Sequence, residues 1–112
     1  MPPLKIEVFD QQTESWRQAG VINPGDPYGS VSDNTDTGRD IYYFGVDSVE
    51  GKAFIKKSLS GVDVVDARLR TISTLAGTSL VASLDPGEQH ELTIKTDIGL
   101  KPRRVRFTHL SE

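Results

Sequence analysis

The chain has 112 residues, a formal net charge of −3 at pH 7 and no cysteine. Its length suits a single domain with its own hydrophobic core, and the lack of cysteine excludes disulfides, thiolate catalysis and zinc–thiolate centres. The acidic balance argues against nucleic acid as the main partner, because a general nucleic-acid binder needs a basic surface. No apolar run approaches the roughly 20 residues of a membrane span, and residues 1–5 lack the pattern of a signal peptide.

Alternating apolar residues predict strands in the first part of the chain. Leu4, Ile6 and Val8 alternate with polar neighbours, which is the period of a half-buried strand. Residues 16–22 predict a second strand. Residues 23–40 are dense in Pro, Gly, Asp, Asn, Ser and Thr, and this composition predicts an extended loop or arm.

The same period continues through residues 41–110, the predicted main strands. Further strands are indicated over 41–46, 52–59, 63–70, 80–84, 91–96 and 104–108, with turn residues between them. We therefore predict an all-β fold, a single antiparallel β-sandwich of seven or eight strands over residues 1–112, with residues 1–22 as N-terminal strands. The pattern leaves a barrel open as the alternative.

One stretch of this region resembles a known family. From Gly45 to Leu110 a strand leads into residues 60–69 (SGVDVVDARL), and the turn Leu84-Asp85-Pro86-Gly87-Glu88 precedes the strand Glu91-Leu92-Thr93-Ile94. This order of strands and turns is similar to that of immunoglobulin-like β-sandwiches in bacterial surface proteins and phage particles. The resemblance implies an immunoglobulin-like fold and no catalytic residue.

A search of the sequence for reactive groups gives no catalytic motif. There is no nucleophile elbow, phosphate-binding loop or His-Glu-x-x-His motif. The two histidines, His90 and His109, are interpreted as strand residues. A further hypothesis, besides the two given below, is a small metal-dependent enzyme that uses both histidines. Asp33 could begin a calcium loop, but the EF-hand positions that follow carry the wrong residues. We expect no enzyme, no cofactor and no metal site.

Charged residues give the strongest indication of a partner surface. Residues 103–106 hold Arg103, Arg104 and Arg106, and on a strand Arg104 and Arg106 share one face and could bind carboxylates of a partner. The loop over 23–40 is acidic. We predict that these arginines, together with Asp33, Asp36 and Asp40, contact other protein subunits. The alternative interpretation is an edge strand protected by its charge.

Aromatic residues give the second indication. Trp16, Tyr28 and Tyr42 could stack on sugar rings or anchor an interface. The leading hypothesis is a non-enzymatic structural subunit of a large homo- or hetero-oligomeric assembly, and specifically a phage or phage-like virion component of the neck, tail, baseplate or capsid decoration. The alternative is a carbohydrate or cell-surface binding module. A virion or cytoplasmic location follows from the first hypothesis, with no membrane partner.

Overall fold

The computed structural model describes residues 2–35, 38–58, 78–95 and 101–111. Eight strands lie within these ranges: β1 (Leu4–Asp10), β2 (Ser15–Ile22), β3 (Gly29–Thr35), β4 (Gly38–Asp47), β5 (Lys52–Ser58), β6 (Thr78–Leu84), β7 (Gln89–Ile94) and β8 (Arg103–His109). The described part of the chain contains no helix.

The strands form two four-stranded antiparallel sheets. The first sheet has the order β2-β1-β8-β7 and the second has the order β3-β4-β5-β6. Within each sheet, strands that follow one another in the chain pair with each other. The exception is β8, which also pairs with β1, so the first and last strands lie side by side in the first sheet. The predicted all-β sandwich is confirmed, with eight strands within the described residues.

The core lies between the two sheets and is built from the alternating apolar residues. The first sheet contributes Leu4, Ile6, Ile94, Val105 and Phe107, and the second contributes Phe44, Val46, Ala53, Ile55 and Leu84. The rings of Phe44 and Phe107 meet with their centroids 4.8 Å apart. This apolar surface is buried on the inner face of each sheet.

The segment 23–40 differs from its predicted form. It is not one long loop, because β3 spans Gly29–Thr35 and β4 begins at Gly38. The polar residues of β3 pair with the aromatic strand β4, and Asn34 donates a backbone hydrogen bond of 2.8 Å to the carbonyl of Lys95 at the end of β7. Strand pairing thus overrides a turn-like composition. The strand predicted over 63–70 lies outside the described residues, as do Leu59 and Thr96 at the ends of two other predicted strands.

The turn between β6 and β7 is fixed by its own residues. The Glu88 carboxylate accepts a hydrogen bond of 2.7 Å from the backbone N–H of Asp85, and Gly87 has a φ of +94°, which a residue with a side chain rarely adopts. The N–H of Gly87 donates to the carbonyl of His109, and the N–H of His109 donates to the carbonyl of Glu88. The Asp85–Glu88 turn is therefore attached to the end of β8.

Candidate functional site

The outer face of the first sheet carries the clearest cluster of polar and aromatic side chains. Because side chains alternate along a strand, Val105 and Phe107 of β8 point into the core while Arg104 and Arg106 point outward. The same alternation in β1 buries Leu4 and Ile6 and directs other side chains outward. We call the cluster the arginine–tryptophan face; its residues are Glu7, Phe9, Trp16, Glu91, Arg104 and Arg106.

Each arginine of this face is held by one carboxylate. Arg106 donates from Nε (3.1 Å) and Nη2 (2.9 Å) to Oε1 of Glu7 on the adjacent strand β1. Arg104 donates from Nε (2.9 Å) to Oε1 of Glu91 on β7, and its Nη2 lies 2.7 Å from the same oxygen. Lys5 adds a second cation 3.7 Å from Glu7. These charge-assisted hydrogen bonds fix the orientation of both guanidinium groups.

The indole of Trp16, on strand β2, packs against the arginines on the same outer face of the sheet. Its ring centroid lies 4.2 Å from Cζ of Arg106 and 5.1 Å from Cζ of Arg104. Phe9, its partner in the β1–β2 pairing, meets it edge-on at 5.3 Å between ring centroids. Such cation–π contacts contribute about 0.5–1 kcal/mol each at exposed sites. The cluster therefore spans all four strands of the sheet as one ordered unit.

A shallow depression opens on this face. It has a volume of about 300 Å³ and is lined by Trp16, Gln89, His90, Glu91, Arg104 and Arg106. The Arg104 side chain is 48% exposed, against 29% for Arg106. An aromatic ring, two guanidinium groups and a side-chain amide thus face the solvent together.

The structure separates the other predicted partner-binding residues from this face. By strand alternation Arg103 falls on the side of Val105, at the exposed end of β8. Asp33 accepts a hydrogen bond of 2.9 Å from the backbone N–H of Lys95, and Asp40 lies 3.4 Å from the ammonium of Lys57. Both carboxylates belong to the second sheet and are engaged within the chain. Asp36 lies outside the described residues.

The three aromatic residues predicted for ligand binding do not share a surface. Trp16 lies on the first sheet. Tyr28 packs edge-on against Tyr43 on the outer side of the second sheet, with ring centroids 5.2 Å apart. Tyr42 packs against the core from the inner side of the second sheet, with the Lys57 ammonium 5.7 Å from its ring centroid. A sugar platform made of all three residues is therefore excluded by their positions.

The second sheet holds a larger groove beside its exposed lysines. It has a volume of about 630 Å³, and its lining includes Asp47, Glu50, Lys52 and Lys56. Burial lowers the pKa of Lys56, while the charges of Asp47 and Glu50 oppose that shift. On the other side of the strand, Tyr42 is the main influence that raises the pKa of Lys57, with Asp40 adding to it. The lining of this groove thus holds charges of both signs.

The two histidines lie on neighbouring strands, with His90 paired to Phe107 two residues before His109, and they have different surroundings. His109 is fully buried, with Nδ1 2.8 Å from the carbonyl oxygen of Leu84 and Nε2 3.1 Å from that of Pro2. His90 lies on β7 and is half-buried. Within the described ranges no three histidine or carboxylate side chains are placed to share a metal ion.

Sequence reasoning found Trp16 and the arginines but missed Glu7, Phe9 and Glu91 as members of the same face. The alternation of β1 does place Glu7 and Phe9 on the side opposite Leu4. The sequence carries no signal for the pairing of β1 with β8, which brings Glu7 to Arg106.

Comparisons with protein-family models, with curated proteins and with solved structures give no match to this chain. The resemblance of residues 45–110 to immunoglobulin-like domains therefore stays a prediction. Among the residues that the structure describes, no helix has the length and apolar character needed to cross a membrane.

Proposed function

We propose that this protein is a non-enzymatic structural subunit that joins a larger assembly through the arginine–tryptophan face. The observation that carries the proposal is the preorganised cluster of Trp16, Arg104 and Arg106 on an outer sheet face. Tryptophan and arginine are enriched among the residues that dominate binding energy at protein interfaces. Because carboxylates already hold the arginines in place, the arginine side chains would lose little conformational entropy when a partner binds them.

The proposed setting is a phage or phage-like particle, in its neck, tail, baseplate or capsid decoration. This part of the proposal rests on the resemblance of residues 45–110 to sandwich domains of such particles. A location in the virion, or in the cytoplasm before assembly, follows from it. The partners would be other protein subunits, either copies of this chain or different chains.

The first test is a density-gradient fractionation of the native source, with the chain detected in each fraction. Co-migration with a fast-sedimenting particle supports the proposal, and recovery only as a small species at the top of the gradient refutes it. A photo-crosslinking residue then locates the contact. We expect crosslinks to particle subunits from position Gln18, which flanks the face on β2, and none from the matched position Val49, which is 92% exposed beyond the second sheet.

Charge reversal of the arginines is a poor test of this interface. Arg104→Glu and Arg106→Glu would each place a carboxylate beside Glu91 or Glu7 and would disturb the sheet itself. Loss of assembly in such a variant would therefore not distinguish a lost interface from a damaged fold.

A second candidate, a carbohydrate-binding module, is supported by the depression beside Trp16, where an aromatic ring lies near the amide of Gln89 and the carboxylate of Glu91. A glycan-array screen with wild-type protein and Trp16→Ala tests it. Glycan binding that is lost in the variant would favour this candidate, whereas an array without bound glycans would reject it.

A further inference from the structure

The arginine–tryptophan face presents hydrogen-bond donors that the chain does not use. The contacts of Arg104 and Arg106 with Glu91 and Glu7 run through Nε and Nη2 of each guanidinium. No acceptor among the described residues bonds to the Nη1 of either arginine. Each guanidinium therefore keeps donors for an incoming acceptor, and a carboxylate matches the planar geometry of these donors.

The spacing of the two arginines defines the shape of a matching ligand. Arg104 and Arg106 are two residues apart on one face of β8, so their Cα atoms are separated by about 6.6–7 Å. Acidic side chains at alternate positions of an extended peptide have the same separation and also lie on one face. A second extended chain laid along β8 would thus bring one carboxylate to each arginine.

The charge of the face favours such a ligand. Within the face the two arginines balance Glu7 and Glu91, and the adjoining Lys5, 3.7 Å from Glu7, leaves one cation in excess. The Arg106 guanidinium, 4.2 Å from the Trp16 ring centroid, covers one face of that ring, so a sugar could stack only on the other face. The depression of about 300 Å³ beside it leaves room for side chains of a bound segment.

We infer that this face binds an extended acidic segment of a partner protein, with carboxylates at alternate positions seated on Arg104 and Arg106. The inference rests on the function proposed above, because it names the chemistry of the partner at the same face. It predicts a preference both for negative charge and for the alternate spacing of that charge.

The test is a titration of the full chain with short peptides, followed by the emission of Trp16, the single tryptophan. A peptide that alternates threonine and glutamate should change the emission saturably. Control peptides carry glutamine in place of glutamate, or the same number of glutamates at adjacent positions. We expect no saturable change with glutamine and at least about tenfold weaker binding with adjacent glutamates, because one charge-assisted contact is then lost.

Arg104→Lys and Arg106→Lys are the diagnostic variants, since each keeps a cation beside its carboxylate and removes the forked donors. We expect each to weaken binding of the alternating peptide by about tenfold. Arg17→Lys is the matched control, because Arg17 pairs with the inward-facing Val8 and lies off the face. The affinity of this variant for the alternating peptide should stay within about twofold of wild type. Circular dichroism verifies that each variant is folded.

The inference would be overturned if the glutamine peptide bound as tightly as the alternating glutamate peptide. It would also be overturned if both lysine variants bound the alternating peptide with wild-type affinity. Tighter binding of an acidic oligosaccharide than of the peptide would also overturn it, in favour of a glycan ligand. The proposed function is tested separately. Co-sedimentation with a particle but no peptide binding would support the subunit role and reject the acidic-segment site. Peptide binding without co-sedimentation would support the site and reject the subunit role.

Discussion

The buried His109 offers a sharp test of what holds the two ends of the chain together. The side chain is fully buried, and its nitrogens lie 2.8 Å and 3.1 Å from the carbonyl oxygens of Leu84 and Pro2. The ring therefore links β8 to the end of β6 and to the residues that precede β1. Substitution by phenylalanine fills similar space but removes both ring nitrogens, so the carbonyl groups lose their partner.

The expected loss follows from the number of N–H donors. A neutral imidazole donates from one nitrogen, so His109→Phe should lower the free energy of unfolding by about 1–3 kcal/mol. Since domains are commonly stable by about 5–15 kcal/mol, the variant should stay folded but melt at a clearly lower temperature.

Urea unfolding followed by Trp16 fluorescence measures the effect, with the m-value as a check that the same surface is exposed. His90→Phe is the matched control, because His90 is half-buried on β7 and has no such carbonyl contacts; it should change stability by less than about 1 kcal/mol. A His109→Phe protein within about 0.5 kcal/mol of wild type would refute the assigned role of the ring.

Other expectations follow from packing and charge. Gly29→Ala should lower the melting temperature, because its Cβ would lie 2.5 Å from a ring atom of Phe44, while Gly20→Ala, whose Cβ would meet nothing within 4 Å, should not. Trp16→Ala should cost about 1–3 kcal/mol of unfolding free energy, measured by circular dichroism in urea. Burial lowers the pKa of Lys56, so its charged form costs stability at neutral pH, and this cost falls as the pH rises toward 10.5. Lys56→Met should therefore gain less than about 1 kcal/mol near neutrality, and urea titrations at rising pH should show the gain shrinking.

The fold class could be predicted because alternation is a local property of the chain. The apolar rows of β1 and β8 appear as period-2 patterns in the sequence, and the structure buries those same rows. Segment 23–40 was predicted wrongly because its composition is that of turns. The strand β3 exists there through its pairing with β4 and its hydrogen bond to Lys95, and neither contact is visible locally.

The site was predicted only in pieces for a related reason. Trp16, Arg104 and Arg106 stand out individually, because their residue types are common in interfaces. Their assembly with Glu7 depends on the register between β1 and β8, whose paired residues Glu7 and Arg106 are 99 positions apart in the chain. Long-range packing sets that register, and a single sequence does not encode it in any short window.

The edges of the sandwich are poorly suited to the addition of a partner strand. Among the strands that the structure describes, β2 and β6 lie at sheet edges. Each contains an extra residue, Ala19 in β2 and Val81 in β6, with no counterpart on the neighbouring strand. Such bulges twist an edge away from the flat geometry that strand addition requires. The other two edge strands, β3 and β7, are tied to each other through Asn34 and Lys95. Addition of a partner strand to a sheet edge is therefore disfavoured, while the outer face of the first sheet presents rigid aromatic and guanidinium groups. A partner segment lying across that face can use these groups without opening any existing strand pair.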